Sequence, residues 1–169
     1  RTNEWERLTS PTNDVLRKLF FVDPNNGWAS GLAGTIIHTS NGGNSWVLQN
    51  STVTTPVVDI FFINKNRGWT LTYPEVPPFG TTILKTTNGG LDWIDDSTFF
   101  ENEIMSSIFF FDEFVGFLGG SGIKKTTDGG LTWNIIKTGI NAGLTSIYFP
   151  DSKIGYAAGW YSTLLKTID

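Results

Sequence analysis

The side chains best suited to bond chemistry are four carboxylates, Asp95, Asp96, Glu101 and Glu103, grouped in one short stretch. Glycoside hydrolysis needs two carboxyl groups about 5–9.5 Å apart across the scissile bond, so the group invites that reading. A solvated acidic loop is the plainer one. A sialidase would also need arginines gathered around the substrate carboxylate, which the guanidinium fork grips with two hydrogen bonds. The arginines are Arg1, Arg7, Arg17 and Arg67, far apart in sequence. His38 is the sole histidine, and one imidazole makes no metal site. With no cysteine, thiolate ligands, thiol nucleophiles and disulfides are excluded. No catalytic, cofactor-binding or metal-ligating set is expected.

Aromatic residues are better placed, for binding. Tyr73-Pro74-Glu75-Val76-Pro77-Pro78-Phe79-Gly80 carries three prolines, with Tyr73 and Phe79 near its ends and Glu75 between them. Trp160-Tyr161 is a second candidate. Exposed rings of this kind suit a sugar or a partner's apolar patch.

The elements that would hold these groups recur along the chain. Leu19-Phe20-Phe21, Ile60-Phe61-Phe62, Ile108-Phe109-Phe110 and Ile147-Tyr148-Phe149 each lead through Asp or Asn to a Gly-aromatic pair: Gly27-Trp28, Gly68-Trp69, Gly116-Phe117 and Gly155-Tyr156. The starts lie 41, 48 and 39 residues apart, near the period of a four-stranded propeller blade. The apolar blocks are short, β-branched or aromatic, and bounded by turn residues, so they read as strands. In the second repeat the expected strands are Val57–Ile63, Gly68–Thr72, Thr82–Thr87 and Asp92–Asp96. Successive apolar residues make the first strand of each repeat one buried on both faces, and the Gly beyond it is read as a turn glycine with positive φ. The Tyr73–Gly80 stretch then lies between the second and third strands and lengthens the second repeat by six residues. Insertions in repeat proteins commonly map to the binding face.

A second motif follows three of the four starts: Thr39-Ser40-Asn41-Gly42-Gly43-Asn44-Ser45-Trp46, Thr86-Thr87-Asn88-Gly89-Gly90-Leu91-Asp92-Trp93 and Thr126-Thr127-Asp128-Gly129-Gly130-Leu131-Thr132-Trp133. Asn41, Asn88 and Asp128 are expected to accept hydrogen bonds from backbone N–H groups two or three residues on. Gly43, Gly90 and Gly130 permit the left-handed turn. The three tryptophans close the hairpins. The motif resembles the Asp-box, or bacterial neuraminidase repeat, with Asp92 departing from the usual Thr or Ser. Its frame, including Gly34-Thr35-Ile36-Ile37-His38-Thr39 and Thr82-Ile83-Leu84-Lys85-Thr86, is similar to the photosystem II stability/assembly factor-like branch; sortilin-type receptors and some xyloglucan hydrolases share the repeat. The resemblance implies an all-β fold, a β-propeller of four four-stranded blades. It does not fix function, because the box is a structural turn in enzymes and binders alike.

The blades are expected at about 16–52, 57–98, 104–138 and 144–169, the last completed by residues 1–9. Lys166-Thr167-Ile168-Asp169 matches the start of a box. Trp5 precedes Leu19 by 14 residues, as Trp46, Trp93 and Trp133 precede the next start by 14, 15 and 14. A strand around Trp5 would therefore close the last blade. Either the chain forms a four-blade ring, or it is part of a larger ring, through trimming or through pairing of chains. His38 shares a slot with Lys85, Lys125 and Lys166 and reads as an outward surface residue.

A net charge of −4 with 12 Lys and Arg is a poor footprint for nucleic acid. There is no apolar run long enough for a membrane-spanning helix, and no signal-peptide pattern. The chain begins at Arg1, which reads as processing or trimming, and an extracytoplasmic setting in a bacterium is expected. The expected function is a non-catalytic interaction scaffold. A protein or glycan partner would dock on the face that carries the strand 2–3 loops and the inter-blade loops. A photosystem-assembly-like chaperone is the first alternative, though it would want an arginine cluster that this chain lacks. A glycoside hydrolase or lectin is the second.

Overall fold

The computed structural model describes residues 4–168, without the side chains of residues 96 and 97. Arg1, Asp169 and the Asp96 carboxylate therefore lie outside the described residues. The fold is all-β, with one 3-10 turn at Leu32–Gly34. Blade 1 holds β1 (Leu16–Phe21), β2 (Gly27–Gly31), β3 (Ile36–Thr39) and β4 (Val47–Gln49). Blade 2 holds β5 (Val57–Phe62), β6 (Gly68–Thr72), β7 (Gly80–Thr86) and β8 (Ile94–Glu101). Blade 3 holds β9 (Met105–Phe110), β10 (Gly116–Gly120), β11 (Ile123–Thr126) and β12 (Asn134–Ile136). Blade 4 holds β13 (Leu144–Tyr148), β14 (Gly155–Gly159) and β15 (Leu164–Thr167). Each blade is an antiparallel meander in chain order.

The first strands pack in succession, β1 on β5, β5 on β9 and β9 on β13. Among the described residues no comparable joint links β13 to β1. Burial follows from this. β5 and β9 have a blade on both sides and are buried or half-buried throughout. β1 is exposed along most of its length, and β13 and β14 each mix buried with exposed residues. Burial on both faces thus requires a neighbour on each side. The fourth sheet has three strands, and residues 4–10 form no strand. The closing strand expected around Trp5 is absent from the described residues, and Trp5 is fully exposed.

Aromatic stacking cements the joints. Trp28 of blade 1 stacks on Phe62 of blade 2 with centroids 3.5 Å apart and planes 10° from parallel. Trp69 stacks on Phe110 at 3.8 Å and 4°, and Phe117 meets Phe149 at 4.5 Å, tilted by 36°. The same phenylalanines explain the glycines before the aromatic slot. A Cβ on Gly68 or Gly116 would lie 2.5 Å from the ring of Phe62 or Phe110. Neither glycine has positive φ. The expectation of a left-handed turn glycine is corrected here: the ring needs the space above Cα.

Candidate protein-binding face

The three boxes are built alike. Thr39, Thr86 and Thr126 accept the N–H of Gly43, Gly90 and Gly130 at 2.8–2.9 Å and donate to Asn41, Asn88 and Asp128. These three residues then accept the N–H four residues on, at Ser45, Asp92 and Thr132. That reach is longer than the two or three residues expected. The box glycines all have positive φ. Trp46, Trp93 and Trp133 pack edge-on against Phe21, Phe62 and Phe110 of their own blades, about 6 Å away.

Asp92 is explained by its partner. The Asn88 amide donates to the Asp92 carboxylate at 2.8 Å, as Asn41 donates to Ser45 Oγ. Asp128 cannot donate when ionised, and there Thr132 supplies the proton, at 2.6 Å. Bonds from Thr132 and Thr126 hold the Asp128 carboxyl at a pKa of about 2. A carboxyl depressed in the folded state adds stability above its ordinary pKa near 3.8 and loses it between there and about 2. Asp128→Asn should remove that part of the acid limb of the stability profile. NMR titration of the Asp128 carboxyl carbon checks the value.

The second box also reaches across a joint. Trp28 Nε1 and Gln49 Nε2 both donate to Gly89 O, at 3.1 and 2.8 Å. Deeper in, Asp59 on β5 is 2 % exposed. Its Oδ1 meets Lys18 Nζ on β1 at 2.9 Å, and its Oδ2 accepts the Ile108 N–H on β9 at 2.8 Å. Burial pushes this carboxyl up, against the pull of Lys18 and of two backbone N–H groups. One side chain so ties three blades together. In the next joint Ser107 takes the same role, accepting the Ile147 N–H at 3.1 Å. Sequence reading passed over this slot, whose occupants are Lys18, Asp59, Ser107 and Ser146.

His38 differs from its expected place. It is half-buried and stacks on Trp28 at 4.7 Å, and burial lowers its pKa. The aliphatic-charged residues of this slot do likewise: Lys125 lies over Phe117 and Lys166 over Tyr156. Arg67 pairs with Glu113 across the blade 2–3 turns.

On the loop face, β8 runs through the stretch expected to be an inter-blade loop. Asp95 and Glu101 are therefore on one strand with an irregularity between them; they pair with Leu84 and Gly80, four residues apart on β7, roughly 13 Å by strand rise. Glu103 is held by Lys124 at 2.9 Å. Asp95 and Glu101 are thus farther apart than the paired carboxyls of a glycosidase. The reason β8 is long lies in Phe99 and Phe100, which pair with Thr82 and Thr81; Phe100 packs toward Trp133 at 6.4 Å while Phe99 points out.

Tyr73 is half-buried at the foot of its loop, and Glu75 and Phe79 are exposed. Asn102 N donates to Phe79 O at 2.9 Å, and a Cβ on Gly80 would touch the Phe99 ring. Ile104 is fixed by Ser121, whose N–H reaches Ile104 O at 2.8 Å. Phe79, Phe99 and Ile104 thus stand on adjoining backbone, each 46% exposed, with Val76 at the loop tip, 68% exposed. Glu75, next to Val76, and Glu101, two residues beyond Phe99, are exposed as well. Trp160 and Tyr161 are exposed on the β14–β15 turn of blade 4, where Tyr161 and Ser162 hold φ of 55° and 58°. They form a separate group, two blades along. Val76, Phe99 and Ile104 were missed by sequence reading; only the side of the strand on which Phe99 falls would have revealed it.

Blades of four short antiparallel strands, closed by the Thr-x-Asn/Asp-x-Gly box and stacked through aromatic joints, define a β-propeller of the neuraminidase-repeat type. The chain belongs to the photosynthesis system II assembly factor YCF48 family, whose model matches residues 1–95. The chloroplast photosystem II stability/assembly factor HCF136 of Guillardia theta is 40% identical over 48 residues, 27% of this chain and 12% of that protein. A structure of YCF48 bound to D1 peptide is similar with a TM-score of 0.72 at 20% identity, over 94% of this chain and 51% of that one. A GH74 enzyme of Niastella koreensis is similar with a TM-score of 0.71 at 16% identity, over 92% of this chain and 28% of that one. These two likenesses show the propeller fold alone. The chain spans about half the length of that YCF48 chain and about an eighth of the curated relative. No helix among the described residues is long and apolar enough to cross a membrane.

Proposed function

We propose that this chain is a non-catalytic protein-binding unit that holds an extended segment of a partner on its loop face. The observation that carries this is the exposed cluster of Val76, Phe79, Phe99 and Ile104. Backbone hydrogen bonds fix three of the four, so little ordering entropy opposes docking. Glu75 and Glu101, exposed beside these residues, favour a segment with apolar anchors and basic flanks, since complementary charge steers association. Family membership puts the assembly-chaperone reading ahead of the glycan one, and the solved YCF48 complex with D1 peptide supports a peptide as the ligand class.

A labelled D1 peptide is the probe. Replacing Val76 and Phe79 together by Ala should weaken its binding roughly 10- to 100-fold, the loss of two moderate anchors, with unfolding unchanged. Unaltered affinity would sink this face as the site. A glycan reading rests on the exposed Trp160-Tyr161 pair. Trp160→Ala with Tyr161→Ala should leave peptide binding intact and abolish any signal on a glycan array. The extracytoplasmic setting is part of the same proposal and is read by fractionating cells that make the protein.

A further inference from the structure

Blade 2 ends in an outer strand unlike those of blades 1 and 3. β8 has eight residues, whereas β4 and β12 have three each. Its partner β7 has seven, against four in β3 and β11. The Tyr73–Gly80 stretch feeds this longer hairpin. β8 is the last strand in the order of its sheet, so among the described residues the side away from β7 is an open edge.

One bond fixes which backbone groups face that edge. Asn102 N donates to Phe79 O at 2.9 Å. These two residues continue the register that pairs Gly80 with Glu101, Thr81 with Phe100 and Thr82 with Phe99. Antiparallel pairs alternate between those that exchange both bonds and those that exchange none. Phe79–Asn102 and Thr81–Phe100 are therefore the bonded pairs. Phe99 and Glu101 turn their N–H and C=O groups away from β7, onto the open edge. Both residues are exposed. The irregularity beyond Thr82 confines this phase to the end of the strand.

Sheet edges are normally blunted by lysine, proline or a bulge. β8 reads Ile-Asp-Asp-Ser-Thr-Phe-Phe-Glu, with no lysine and no proline, and its irregularity lies before Phe99. Its charged residues are all acidic. An acidic edge set against a second copy of itself is disfavoured, because like charges across a strand pair are destabilising, whereas a basic strand is attracted.

We propose that the partner's extended segment joins blade 2 as a fifth, antiparallel strand along Phe99–Glu101. In this mode main-chain hydrogen bonds to a sheet edge supply affinity and alternate side chains supply specificity. The inference rests on the peptide-binding reading and deepens it. The N–H and C=O groups of Phe99 and Glu101 engage two residues of the segment, spaced by one. Their side chains lie on the face that carries Phe99 and Glu101. An apolar side chain opposite Phe99 covers its ring, and a basic one opposite Glu101 meets its carboxylate. The antiparallel direction puts the basic residue first, so the segment reads basic, any, apolar.

A backbone N-methyl scan of the labelled D1 peptide, one residue at a time, tests this on the 169-residue chain. Two positions separated by one indifferent residue should each lose about tenfold in affinity, the upper range for one hydrogen bond. Residue-resolved amide exchange with the unmodified peptide should slow Phe99 and Glu101 more than Phe100, whose N–H already faces β7. Glu101→Pro removes an outward donor without removing a bond to β7 and should weaken binding about tenfold. Glu101→Gln keeps that donor and should lose less than about fivefold. Binding in which no such spaced pair appears overturns strand addition and leaves the face standing. No binding of the unmodified peptide overturns the peptide-binding reading and this inference with it. A dimer formed without peptide, with the Phe99 and Glu101 amides already protected, makes a second copy the occupant and overturns the proposal.

Discussion

Phe110→Ala is expected to destabilise the chain by about 3–5 kcal/mol, the usual range for emptying a packed phenylalanine site. Phe110 is 2% exposed. It stacks on Trp69 and meets Trp133 edge-on, so its loss opens the joint between blades 2 and 3 from both sides. The gap will not collapse easily, because Gly116 lies directly beneath the ring and offers no side chain to fill it. At this chain length the melting midpoint should fall by roughly 6–20 °C. Phe21→Ala is the informative control. Phe21 has the same slot and the same edge-on tryptophan, but among the described residues no blade precedes it, and it is exposed. In this chain it should cost less than about 1.5 kcal/mol. Equal losses at the two positions would mean that the joints do not carry the stability.

Asp59→Ala is expected to cost about 2–3 kcal/mol. It strands the buried Ile108 N–H, which alone is worth about 1–3 kcal/mol, and releases Lys18. Full loss of a buried pair would cost about 3–5 kcal/mol, but Lys18 is 43% exposed and returns to water. Lys18→Ala, by contrast, leaves the buried Asp59 carboxylate without its counter-charge and should cost about 3 kcal/mol or more. Asp59→Ser should recover part of the loss by copying Ser107, which makes the equivalent bond in the next joint. Chemical denaturation at pH 7 measures all three. If Asp59→Ser were no better than Asp59→Ala, the carboxylate's role as an inter-blade acceptor would be wrong.

How much of this was legible in the sequence depended on whether the cause was local. The boxes were legible because their bonds close within four residues, from Thr86 through Asn88 to Asp92. So were the first strands of each repeat, whose apolar triplets admit little else. What escaped depended on neighbours in space. Gly68 looks like a turn glycine until Phe62 is seen over its Cα. His38 looks like a surface residue until Trp28 lies against it. β1 carries the same triplet as β5 and yet is exposed, since a strand cannot be buried on a side where no blade stands. The binding candidates were half legible. Tyr73, Glu75 and Phe79 announced themselves through an insertion, whereas Phe99 and Ile104 join them only because β8 continues to Glu101 and Ser121 pins Ile104. The acidic stretch read as a possible carboxylate pair becomes one extended strand with Glu103 already engaged by Lys124.

The most direct test of the central claim is amide hydrogen exchange with the peptide probe present and absent. The account predicts slowed exchange at residues 73–80 and 99–104, with the box turns at residues 41–45, 88–92 and 128–132 unchanged. Protection confined to the opposite face, around residues 23–26, 64–67 and 112–115, would contradict it. So would the absence of protection anywhere at saturating peptide.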